Sequence, residues 1–292
     1  MSTIHFHKMH GCGNDFIVFD DPAGSFSWEQ LSEIARRHCD RRFAVGADGV
    51  IAVGHCPLAG DRWDEGADYE MRYLNADGSR AEMCGNGIRC LGKYVADVLG
   101  DTRDEIFVQT GNGVLPIHLH REDGVVTSIT VGMGIPRLQS AQIPTTLGNG
   151  TVVREPLEVQ GETLLFTTVN MGNPHAVSFV PAIEERHVHA LGPQVETSPV
   201  FPQKTNVEFV EALSPRELRM RVWERGCGET WACGTGACAT VVAAVLEGHS
   251  SYGEDVTVHL NGGDLTIQWP AADQAVLMTG PAEVAFQGTL IL

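Results

Sequence analysis

The chain has 292 residues, 43% of them apolar and 20% charged, which at about 100–200 residues per domain is length enough for two cores. Thirty-seven acidic residues against 20 basic ones leave a net charge of −17 at neutral pH, and such a field repels polyanions, so neither nucleic acid nor an anionic membrane surface is expected as a partner. No run approaches the roughly 18–20 consecutive apolar residues of a spanning helix. The polar stretch at 1–13 carries no apolar block of signal-peptide length, and a cytoplasmic location is expected.

Along the chain, apolar alternation predicts strands at 4–7, in the run after Gly13-Asn14, at 49–53 and at 69–74, followed by a turn at Ala76-Asp77-Gly78. Ile88, Leu91, Val95 and Val98 then recur at helical spacing, with Gly100 as a left-handed stop. Strands are expected at 106–110, 114–119, 126–131, 164–169, after Gly172-Asn173, and at 208–212 and 218–222. The segment 237–247 is apolar on nearly every face and reads as a buried helix stopped by Gly248. Strands at 257–260, 265–269, 275–279 and 283–291 complete the chain, with a turn at Asn261-Gly262-Gly263. The pattern is a β-rich α/β protein in which each half wraps strands around one buried helix, without the strand–helix alternation of a doubly wound sheet.

Laid against itself, the chain matches twice. Met83-Cys84-Gly85-Asn86-Gly87 resembles Ala232-Cys233-Gly234-Thr235-Gly236, each running into one of the predicted helices, and Gly13-Asn14 resembles Gly172-Asn173, each opening a β-like run. Cys84 follows Gly13 by 71 positions and Cys233 follows Gly172 by 61, as in a duplicated domain. A cysteine at the first turn of a helix meets the positive end of the macrodipole, which favours the thiolate. The adjacent glycines let unpaired backbone N–H groups approach an anion such as a carboxylate. Two such thiols suit proton transfer at a stereocentre: one takes an α-proton from one face while the other returns a proton to the opposite face.

A lone Cys-Gly is ordinarily a small buried residue beside a turn former; the recurrence at two helix starts is what argues against that here. The glycine-rich loops fit neither the dinucleotide fingerprint nor a phosphate-binding loop with its lysine. A pyridoxal enzyme needs a Schiff-base lysine, and Lys8, Lys93 and Lys204, the three lysines of the chain, have no telling context. A thiol hydrolase with His175 as base leaves one Cys-Gly-x-Gly unexplained, and a duplicated binding protein with inert cysteines predicts ordinary thiol reactivity. The eight cysteines include no C-x-x-C pair and read as free thiols, with no role assigned to Cys12, Cys39, Cys56, Cys90, Cys227 or Cys238. The His-x-His pairs at 5/7, 118/120 and 187/189 lack a third ligand, so no metal site is expected.

With these residues in view, the chain resembles the diaminopimelate epimerase family over essentially its whole length. The resemblance is carried by Lys8-Met9-His10-Gly11-Cys12-Gly13-Asn14-Asp15-Phe16, by Asn75-Ala76-Asp77-Gly78-Ser79 with the first cysteine motif, by Met171-Gly172-Asn173-Pro174-His175, and by Trp223-Glu224-Arg225-Gly226 with the second. It implies a pyridoxal-independent epimerase, without cofactor, that converts LL-diaminopimelate to the meso form in lysine and peptidoglycan precursor synthesis; the alternative, a racemase of another amino acid on the same scaffold, leaves Arg225 no distal carboxylate to bind. Cys84 and Cys233 are then the acid/base thiols, and the backbone around Gly85, Asn86, Gly234 and Thr235 holds the reacting carboxylate. Asn14, Asn75, Asn173, Asn206, Glu224 and Arg225 bind the rest of the substrate, and His175 and Glu224 tune the thiols. The resemblance further implies a homodimer, a first domain of 1–130 with 278–292 and a second of 131–277. Some members of the family carry a glutamine where this chain has Gly49, which puts a side-chain contact there in doubt.

Overall fold

In the computed structural model, which describes residues 3–56, 66–81 and 83–292, the chain divides into two compact units, Met1–Val131 with Thr279–Leu292, and Gly132–Met278. In the first unit, β1 (Thr3–Gly11) turns through Cys12 and Gly13, both at positive φ (53° and 83°), into antiparallel β2 (Asn14–Asp20). Helix α1 (Trp28–His38) crosses to β3 (Gly49–His55), which runs parallel to β2, and β4 (Tyr69–Asn75) returns antiparallel to β3. Next comes α2 (Gly85–Lys93), prolonged by a π turn over Tyr94–Val98. Then β5 (Glu105–Thr110) lies parallel to β4 and continues through the antiparallel strands β6 (Gly113–Glu122) and β7 (Val125–Gly132).

Every residue of α2 is buried, and the helix touches β1, β2, β3, β4 and β6, so the strands curl around it. On the outer side of the same strands, Leu31, Ile34 and Ala35 of α1 pack with Ile17, Phe19, Val50, Ala52 and Leu74. Strands covered on both faces read as continuous apolar runs rather than alternating ones, which is why Phe16, Ile17, Val18 and Phe19 are all fully buried.

The second unit repeats the order. Hairpin β8 (Glu155–Val159) and β9 (Glu162–Asn170) leads through Gly172, at φ 101°, into β10 (Pro174–Phe179), antiparallel to β9. A helical crossover, a π turn over His187–Leu191 running into α3 (Gly192–Glu196), leads to β11 (Asn206–Ser214), parallel to β10, and β12 (Glu217–Glu224) is antiparallel to β11. After the short β13 (Gly228–Glu229) comes α4 (Gly234–Glu247), then β14 (Asp255–Leu260), parallel to β12, and its hairpin partner β15 (Gly263–Gln268). Helix α4 touches β9, β10, β11, β12, β14 and β15 and ends at Gly248 in the left-handed region. Finally β16 (Leu277–Gly280) precedes β17 (Glu283–Ile291), which pairs antiparallel with β1. The architecture is thus a β-rich α/β fold with one buried helix in each half. The crossover helices α1 and α3, absent from the strand-and-helix pattern expected from sequence, occupy equivalent places in the two units.

Candidate active site

Cys84 is the N-cap of α2. Its backbone is extended (φ −137°, ψ 119°), and Sγ accepts the amide hydrogen of Gly87 at 3.4 Å. Packing at Gly87 is tight: an added Cβ would come within 2.9 Å of Met71 Cε and 3.0 Å of Ile51 Cδ1, the ends of two side chains that would have to shift. The thiol donates to Asn14 Oδ1 at 3.5 Å, and Asn86 Nδ2 donates to the same oxygen at 3.2 Å. The other end of that amide, Asn14 Nδ2, donates to Asp48 Oδ2 at 2.6 Å. Asp48 also accepts from Arg41 (2.6 Å) and from the amide of Asp15 (3.1 Å). Asp15 is paired with Lys8 and Arg41, each at 2.6 Å; burial would raise its carboxyl, but these two cations hold it at about 2. Beneath the helix start, the fully buried Arg89 donates to Gly85 O (3.1 Å), Asn86 Oδ1 (2.9 Å), Cys12 Sγ (3.6 Å) and Pro281 O (3.1 Å).

Cys233 stands at the same point of α4 (φ −119°, ψ 106°), accepting the amide hydrogen of Gly236 at 3.3 Å with Thr235 Oγ1 at 3.5 Å. His175 is fully buried, its Nδ1 2.6 Å from Glu208 Oε1 and its Nε2 2.9 Å from Asn173 Oδ1. Glu208 belongs to the thiol's surroundings as well: a Cβ on Gly236 would come within 2.9 Å of Glu208 Oε1 and 3.2 Å of Cys233 Sγ. Asn206 spans the base of the site, donating to Pro174 O (2.7 Å) and accepting from the amide of Arg225 (3.0 Å). Glu224 accepts a hydrogen bond from Thr230, and burial pushes its carboxyl above the ordinary range.

The expectation that the helix start favours the thiolate is reversed at Cys233. Burial, then the carboxylates of Glu224 and Glu208, push this thiol well above its ordinary value, and the hydrogen bonds from Thr235 and Gly236 do not offset them. Other expected residues are placed as follows. Gly85, Asn86 and Asn14 gather at Cys84, and Gly234, Thr235, His175 and Glu224 at Cys233. The side chain of Asn75 is occupied in its turn, accepting from Tyr73 Oη (2.8 Å) and donating to Ser79 Oγ (2.9 Å). The exposed Arg225 bonds the carbonyl of Gln203 at 3.3 Å. At Gly49 no side chain has room, since a Cβ would lie 2.5 Å from Leu74 O and 2.6 Å from the Tyr73 ring.

Sequence reasoning missed Asp48, Arg89 and Glu208. The signals available were a charge on the buried face of a helix at 89 and an acid inside the strand run at 206–210. His187 and His189 fall in a helical turn that separates them, His187 buried and stacked on Phe209, His189 paired with Glu185 and Glu229. Among the described residues no group of three or more His, Cys, Asp and Glu side chains is disposed to hold a metal ion.

A family model described as diaminopimelate epimerase matches residues 6–139 and 167–285. The chain is 48% identical over 285 residues to the diaminopimelate epimerase of Pelotomaculum thermopropionicum, covering 98% of each chain. It is 49% identical over 292 residues to diaminopimelate epimerase 1 of Nostoc sp., covering 99% of this chain and all of that one. Among solved structures, a PhzF-family phenazine biosynthesis protein of Bacillus anthracis aligns over the full length of both chains with a TM-score of 0.72 at 16% identity. A hydroxyproline epimerase from Agrobacterium vitis aligns over 99% of this chain and 91% of its own with a TM-score of 0.66, again at 16% identity. These two share the fold.

Proposed function

The chain belongs to the diaminopimelate epimerase family, and on that premise we propose how its residues carry the reaction. It is an isomerase that inverts one α-carbon of LL-diaminopimelate to give meso-diaminopimelate, a step of lysine biosynthesis. Cys84 and Cys233 serve as the acid/base pair. One sulfur, as thiolate, removes the α-proton, and the other, as thiol, delivers a proton to the opposite face; the roles exchange in the reverse direction. The negative charge that builds on the α-carboxylate as the carbanion forms is met by backbone N–H groups at Gly85, Asn86, Gly234 and Thr235. Asn14, Asn75, Asn173 and Asn206 serve the polar groups of the substrate, Arg225 its distal carboxylate and Glu224 an ammonium. His175 and Glu224 tune the ionisation of the thiols, and burial with Glu224 and Glu208 keeps the proton on Cys233 before substrate binds.

The observation that carries this reading is the recurrence of one local geometry: a cysteine as N-cap of a buried helix, its sulfur accepting the amide of the second following glycine, once in each unit. A cytoplasmic setting fits the eight free thiols. A homodimer is supported by the exposed apolar side chains Val284 and Phe286 of β17.

The test is turnover of diaminopimelate stereoisomers in heavy water. Wild type places deuterium at the α-carbon of the product, and either Cys84→Ala or Cys233→Ala abolishes epimerisation. Full epimerising activity in either variant, or exclusive activity on a monocarboxylic amino acid, would end the proposal.

A further inference from the structure

We infer that Asp48 is a positioning residue for Cys84: it locks the Asn14 amide so that the carbonyl, rather than the NH2, faces the sulfur, and so keeps a proton on that sulfur until substrate binds. The inference rests on the reading of Cys84 as an acid/base thiol. A carboxylate only accepts hydrogen bonds, so the Asn14 atom 2.6 Å from Asp48 Oδ2 has to be the amide nitrogen. The oxygen is then the atom that meets Cys84 Sγ at 3.5 Å.

The same orientation is enforced from the opposite side. Arg89 only donates, and its Nη2 lies 2.9 Å from Asn86 Oδ1, so Asn86 turns its Nδ2 to Asn14 Oδ1 at 3.2 Å. Nor is Asp48 free to swing away, since Arg41 and the amide of Asp15 hold it. A carbonyl in contact with sulfur stabilises S–H and opposes S⁻. At Cys84 the amide of Gly87 donates to the sulfur and favours the thiolate, while the charged groups Lys8, Asp15, Arg41, Asp48 and Arg89 are paired with one another or with Asn14 and Asn86. The Asn14 carbonyl opposes the thiolate and touches the sulfur itself. A substrate ammonium that donates to this carbonyl weakens its hold on the thiol, whose proton then passes to solvent more readily, which ties deprotonation of Cys84 to binding.

The experiment is alkylation of Cys84 by iodoacetamide at pH 7 in the unliganded full-length protein, followed on the Cys84 peptide by mass spectrometry, a readout that needs no turnover. In Asp48→Asn the new amide can donate to Asn14, leaving Asn86 to hold the carbonyl from its own side, and Cys84 alkylation is expected to rise about threefold, the equivalent of about half a pK unit. Removal of the Asp48 charge also favours the thiolate, so the same substitution is made in an Asn14→Ala background, where the acceleration is expected to vanish. Equal acceleration in both backgrounds, or none in the native background, overturns the inference. Asp48→Ser gives the same comparison should the first variant not fold. Loss of this effect with two-cysteine dependence of deuterium exchange intact strikes the role of Asp48 alone; persistence of exchange in Cys84→Ala strikes the reading of the site.

Discussion

A helix N-terminus favours a nearby anion by about 0.3–1 kcal/mol at exposed positions, and burying a charge opposes ionisation far more strongly. At Cys233 the second effect wins because Glu224 and Glu208 add like charge to burial. Glu224 shares that environment, and its raised carboxyl has a stability consequence. A carboxyl whose folded pKa lies above its unfolded one holds its proton more tightly when folded, so the folded protein gains stability as pH falls through the interval between the two values and loses it above. Glu224→Gln, neutral at every pH, is therefore expected to be more stable than wild type at pH 8, with the advantage shrinking on acidification towards the ordinary carboxyl range. Urea denaturation at a series of pH values checks this; a difference that is constant with pH, or that grows on acidification, would falsify it. The cysteines and Asn14 were legible because they recur in the sequence. Glu208 and Asp48 were not, since each acts through a partner 33 or 34 positions away, His175 and Asn14, and only strand pairing brings them together.

Both buried helices were legible, α2 from its spacing and α4 from its apolar composition. The crossover α1 also carried signals that the strand reading passed over. Ser27 and Gln30 form a reciprocal capping box, with Gln30 N donating to Ser27 Oγ (3.2 Å) and Ser27 N to Gln30 Oε1 (2.7 Å), and Leu31, Ile34, Ala35 and His38 lie on one face. Helix α3 offered little, being five residues long and opened by Gly192 and Pro193. In the layer between α1 and α2, β3 and β4 pair Gly49 with Asn75, and the Tyr73 ring fills the volume a side chain at 49 would need. Because a Cβ there would also meet the Leu74 carbonyl, which cannot rotate away, Gly49→Ala is expected to cost roughly 1–3 kcal/mol as overpacking. The urea midpoint reads the loss. Wild-type stability in the variant would mean that the strands part more easily than their packing implies.

The count of two units was readable from length, and their kinship from the repeat, because duplication preserves order: antiparallel, parallel, antiparallel, buried helix, parallel, in both. Net charge acts on the whole molecule and is blind to that order. At −17 the field repels free carboxylates, yet diaminopimelate carries two ammonium groups beside its two carboxylates and is neutral overall near pH 7. Long-range repulsion therefore cancels for the substrate, and in the proposed site its carboxylates are left to local donors such as Arg225, whose guanidinium bonds a carbonyl rather than an acid. The corresponding dicarboxylate without amines, pimelate, keeps its full charge. Raising the salt from about 0.01 M to about 0.1 M shortens the screening length from about 30 Å to about 10 Å. Competitive inhibition by pimelate is thus expected to strengthen over that range, while kcat/KM for diaminopimelate stays nearly constant. Steady-state kinetics at matched pH measures both. A kcat/KM that climbs with salt as steeply as pimelate affinity would mean that the substrate meets the field through one carboxylate at a time, and that its ammonium groups do not shield it on approach.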